Sequence, residues 1–65
     1  MNVVASNIKE IAQSNGIKHY VIARKAGMSP KAFSDMLNGR KLIKASDIPP
    51  LAKALGVEPG ELFKH

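Results

Sequence analysis

Four glycines cut this chain into lengths that suit short helices and little else. Gly16, Gly27, Gly39 and Gly56 recur every dozen residues or so, and asparagine precedes two of them, at Asn15 and Asn38. Glycine takes the left-handed conformation that ends a helix more easily than any other residue, so each marks a stop. Between the stops the apolar residues recur with helical spacing, not in alternation. Ile8, Ile11 and Ala12 mark one face of a first helix, predicted over Val3–Ser14. Val21, Ile22 and Ala26 mark a second at about 18–26, and Phe33, Met36 and Leu37 a third at about 30–38. Leu51, Ala52 and Leu55 do the same for a fourth at about 47–55, and a last short turn, Pro59–Phe63, presents Leu62 and Phe63. The prediction is an all-α fold of five helices.

The start of the third helix is the sharpest local signal. The Ser29 hydroxyl can accept from a free N–H of the first turn, and Pro30 suits the first helical position, where no N–H is needed. The fourth is expected to begin at Ser46 or Asp47 as cap, because Pro49 and Pro50 are tolerated only within a first turn. At 65 residues the chain is read as a single domain spanning 1–65. A chain of this size buries about 60% of the surface its unfolded form exposes, so its apolar stripes are structural first. Leu62 and Val57 are assigned to the core; Phe63, Val3 and Val4 are open between core and a dimer face.

The absence of cysteine excludes a disulfide framework and a Cys-ligated zinc site, and suits a reducing cytosol. No apolar run approaches the ~20 residues of a membrane span, so a cytoplasmic protein with no membrane partner is expected. The five acids are scattered, the serines have no His–acid partner in view, and neither metal spacing nor a phosphate-cradling glycine loop occurs. No enzyme, no metal and no cofactor are therefore expected. His65, at the end of the chain, is given no role.

Charge is concentrated where the two middle helices meet. Residues 17–44 hold seven cations (Lys18, Arg24, Lys25, Lys31, Arg40, Lys41, Lys44) against one acid, Asp35, a net +6. The remainder holds three cations against four acids, a net −1. Two short helices around the turn Lys25-Ala26-Gly27-Met28-Ser29-Pro30, carrying nearly all the positive charge, are the expected footprint of a protein that lies on duplex nucleic acid.

The ordered set Ile22-Ala23, Gly27-Met28-Ser29, Phe33, Met36 and Asn38-Gly39-Arg40-Lys41 resembles the Cro/repressor-type (XRE-like) helix-turn-helix family. Leu51-Ala52-Lys53-Ala54-Leu55-Gly56-Val57 and Glu61-Leu62 look like that family's closing helices, so the likeness runs from about Ile8 to Phe63. It implies a compact five-helix, lambda-repressor-like DNA-binding domain with the helix-turn-helix at helices 2 and 3. The best-known members are phage repressors and small bacterial regulators that bind operators as dimers. In such domains the third helix enters the major groove with its N-terminal part against base edges.

Carried over residue by residue, the resemblance puts Ser29, Pro30, Lys31, Ala32, Ser34 and Asp35 at the bases. It puts Lys18, His19, Asn38, Arg40, Lys41 and Lys44 on phosphates, with double-stranded operator DNA and a second copy of the chain as partners. Lys31 is the leading readout residue, since a first-turn lysine can donate to O6 and N7 of guanine. Asp35 has two readings, accepting from a cytosine amino group or pairing with Lys31 four residues earlier, and the pairing is favoured. The chain departs from the family pattern at His19, where glutamine is frequent, and at Pro30, where many relatives carry a base-reading polar residue. Leu37 and Ala12 stand where many relatives form a Glu–Arg pair, and here imply packing. The expected function is a sequence-specific transcriptional regulator, a repressor. The alternative is an antitoxin or adaptor module whose main partner is another protein.

Overall fold

The computed structural model describes residues 3–64, and His65 lies outside the described residues. Four α-helices are arranged in order: α1 (Val3–Ser14), α2 (His19–Lys25), α3 (Pro30–Leu37) and α4 (Ile48–Leu55). One 3-10 turn, Ala45–Asp47, leads into α4, and another, Pro59–Phe63, comes after it. The all-α expectation holds, and the helix limits differ from the predicted ones by a residue or so, the usual uncertainty of helix ends.

Two details differ. The fifth expected helix is a 3-10 turn, tied by Glu61 N–H donating to the Glu58 carbonyl three residues back at 2.9 Å. The start of α4 is also built differently, because neither Ser46 nor Asp47 caps it through a side chain. An α-helix through 45–50 would need the N–H groups of Pro49 and Pro50, which do not exist. The preceding turn therefore closes as a 3-10 element. Asp47 N–H donates to the Lys44 carbonyl at 2.9 Å, and the Asp47 carboxylate turns back to accept from the Lys44 N–H at 2.9 Å.

All four α-helices end the same way. The residue after each glycine donates its N–H to a carbonyl five residues back: Ile17 to Ala12 at 2.9 Å, Met28 to Ala23 at 2.8 Å, Arg40 to Asp35 at 2.8 Å and Val57 to Ala52 at 3.0 Å. This is the Schellman ending, and it requires a left-handed residue in between. Gly27 supplies it at φ +74° and Gly56 at φ +73°. At Gly27 an added Cβ would meet no atom within 4 Å, so the backbone angle alone disfavours other residues.

The core is built from the predicted stripes. Ile8, Ile22, Phe33, Met36, Leu51 and Leu62 are fully buried, with Ala12 and Leu37 among the buried residues around them. Ile17, Met28 and Val57, each the residue after a terminal glycine, are half-buried and pack against this cluster. Val4 is buried and Val3 half-buried, whereas Phe63 remains exposed. The Asn7 amide donates to the carbonyls of Leu62 at 2.9 Å and Lys64 at 2.7 Å, fixing the C-terminal turn on α1. No polar or charged side chain is buried among the described residues.

Candidate nucleic-acid interface

The turn between α2 and α3 occupies residues 26–29, and its last residue sets how α3 begins. Ser29 lies in extended backbone, and its Oγ accepts from the Ala32 N–H at 3.1 Å. With Pro30 behind it, α3 begins abruptly and points its first turn into solvent. Phe33, Met36 and Leu37 take the inner face. Pro30, Lys31, Ser34 and Asn38 are exposed on the outer one, and Asp35 and Ala32 are half-exposed at its margins.

The outer face is cross-linked. Lys31 Nζ lies 3.0 Å from Asp35 Oδ2, and Arg40 Nη1 lies 3.7 Å from Asp35 Oδ1. The Lys31 hydrogen bond, together with the charges of Lys31 and Arg40, lowers the Asp35 pKa from its ordinary 3.8. The favoured sequence reading of Asp35, pairing with Lys31, is what the structure contains, and Arg40 joins it. Ser34 and Asn38, assigned separately to bases and to backbone, share a hydrogen bond in which Asn38 Nδ2 donates to Ser34 Oγ at 3.3 Å.

Three further cations stand in the segments that flank α2 and α3. Lys18 precedes α2 in extended backbone. Lys41 and Lys44 are exposed in the segment after α3, whose Ile43 is half-buried against the core. Lys18, Lys41 and Lys44 have no acidic partner among the described residues. His19 is exposed, but its ring meets Phe33 edge to face, 5.6 Å between centroids at 80°, so it bridges α2 to the back of α3.

Three features escaped the sequence reading. The Asp35–Arg40 pair depends on the chain reversing at Gly39, whose left-handed backbone is the only signal of it in the sequence. Arg24 lies over the Tyr20 ring at 5.7 Å, an i, i+4 spacing that was there to be read. Leu42, between exposed Lys41 and half-buried Ile43, is 82% exposed; nothing in its neighbourhood marked it. Among the described residues no three His, Cys, Asp or Glu side chains gather as metal ligands, and no helix is long and apolar enough to cross a membrane.

A helix, a glycine turn and a capped second helix with an exposed basic face define a DNA-binding helix-turn-helix domain of the kind used in transcription regulation. The chain belongs to the helix-turn-helix domain family, which matches residues 5–65, in line with the Cro/repressor-type pattern of its residues. Its fold is similar to that of the restriction-modification controller protein C.AhdI from Aeromonas hydrophila, with a TM-score of 0.86 at 24% identity over 94% of this chain and 92% of that one. No curated protein matches it.

Proposed function

We propose that this chain is a sequence-specific transcriptional regulator, a repressor, that binds operator DNA as a homodimer with α3 in the major groove. The observation that carries this reading is the outer face of α3. Lys31 stands in its first turn with 84% of its side chain exposed, beside a capped start that fixes where it points. In this reading Ser29, Pro30, Lys31, Ala32, Ser34 and Asp35 face the bases. Lys18, His19, Asn38, Arg40, Lys41 and Lys44 hold phosphates and set register without reading sequence. Residues 1–65 act as one domain in the cytoplasm, with neither cofactor nor catalytic chemistry. The similar protein C.AhdI is a restriction-modification controller, which favours regulation over a purely architectural role.

A dimer reading two half-sites requires them about 34 Å apart, one turn of the duplex. Phe63, 54% exposed in the turn that Asn7 of α1 clamps, is an apolar residue available for the contact between copies. The same exposure favours the second reading, an antitoxin or adaptor whose main partner is a protein. Selection from a randomised ~30-base-pair duplex library at ~150 mM salt, where nonspecific contacts are weakened, separates them. Recovery of a two-fold symmetric motif supports the dimeric regulator. A library that stays random overturns it.

A further inference from the structure

We propose that Asp35 is a specificity-determining residue, a carboxylate that stands in for a phosphate toward Lys31 and Arg40 in the free protein and, once DNA phosphates take those cations, is satisfied only by the right base pair. The inference rests on the proposed function and assigns a role within the same face.

Each oxygen of Asp35 serves a different cation, and the two cations come from opposite directions. Lys31 reaches Oδ2 from one turn earlier in α3, and Arg40 reaches Oδ1 from beyond Gly39. The carboxylate side chain is 22% exposed, against 84% for Lys31 and 71% for Arg40, so it is wrapped by groups that themselves face solvent. An aspartate carboxyl is charged throughout the neutral range, as a phosphate stand-in requires.

The pairing is not what shapes the segment after α3. Main-chain bonds do that, with Arg40 and Lys41 N–H donating to the Asp35 carbonyl oxygen at 2.8 and 3.2 Å. Exposed ion pairs contribute little to stability in general, so stability does not account for the arrangement either. Its consequence appears on a polyanion. A duplex of arbitrary sequence must draw Lys31 and Arg40 onto phosphates and leave the carboxylate unpaired beside other negative charges. A base pair that presents the cytosine N4 amino group in the major groove gives the carboxylate a donor. The acid thus penalises wrong sequences more than the right one, which is specificity by repulsion.

The test is Asp35→Asn in the full chain, titrated against a random-sequence duplex and the selected duplex over a salt series. Asp35→Ser, which removes the same charge without the amide, must behave alike. Random-duplex affinity should rise about five- to tenfold near ~100 mM salt. Affinity for the selected duplex should change less, so the ratio between the two falls, and any C·G preference facing Asp35 should flatten. Unchanged or weaker random-duplex binding overturns the assignment. An equal gain on both duplexes also overturns it, since the carboxylate is then only a charge. A parent chain that selects no motif defeats the proposed function instead; a parent that selects one while both variants match it defeats only this inference.

Discussion

Met28 and Arg40 occupy the same place in the same backbone device, and everything around them differs. Each comes directly after a left-handed glycine, and each donates its N–H at 2.8 Å to the carbonyl five residues back. Met28 folds onto the core, as Ile17 and Val57 do at the ends of α1 and α4. Arg40 turns to solvent and reaches Asp35. The Schellman ending commonly places an apolar residue after its glycine, packed against the helix just finished. Three ends of this molecule keep that habit and one does not. The exception is the end of α3, where the proposed contact face lies. The comparison teaches that the backbone of such a turn is indifferent to its use. One side chain decides whether the chain returns to the core or presents charge.

The hardest way to break this contrast is to remove what both ends of α3 lean on. Phe33→Ala should cost about 3–5 kcal/mol in chemical denaturation, as large-to-small changes at fully buried aromatics do, and should also release His19 from its edge-to-face contact. Met28→Ala should cost about 1–2 kcal/mol for a half-buried methionine, whereas Arg40→Ala should stay within about 0.5 kcal/mol of the parent in thermal unfolding. Equal losses at the two positions would erase the distinction. Two further exposed lysines sharpen it on the binding side. Lys31→Ala should flatten preference at one base pair, whereas Lys41→Ala should weaken all sequences alike and reduce the salt slope by about one unit. An unchanged base preference in the Lys31 variant removes that residue from the readout.

The smallest effect expected is a titration. The folded Asp35 pKa lies below its ordinary 3.8, so its contribution to stability is fully present above that value and is lost as the pH falls through the folded pKa. Carbon NMR of the Asp35 carboxyl should show a midpoint below 3.8, and Lys31→Ala should raise it toward that value.

Most of the fold was legible because it rests on local rules. The glycines gave the stops, the i, i+3, i+4 spacing gave the inner faces, and Ser29 with Pro30 gave the start of α3. Leu37 and Ala12, read as packing where relatives place an ion pair, are both buried. What was not legible depends on groups that sequence windows do not combine. The turn Ala45–Asp47 arises from two N–H groups that Pro49 and Pro50 lack, a deficit felt four residues upstream. The short Pro59–Phe63 segment has too few residues to sustain α-helical bonding and tightens instead. Of the candidate site, the outward residues of α3 were readable from the wheel. The bond of Asn38 to Ser34 has an i, i+4 spacing that was there to be read, whereas that of Asp35 to Arg40 was not legible, because it needs a chain reversal that spacing does not encode.

The Asn7 clamp has a consequence for how this molecule opens. One amide holds two carbonyls more than fifty positions away along the chain, so α1 and the C-terminal turn cannot fray independently. Their backbone amides should exchange with deuterated solvent as one cooperative unit, slower than the segment after α3, and Asn7→Ala should uncouple them.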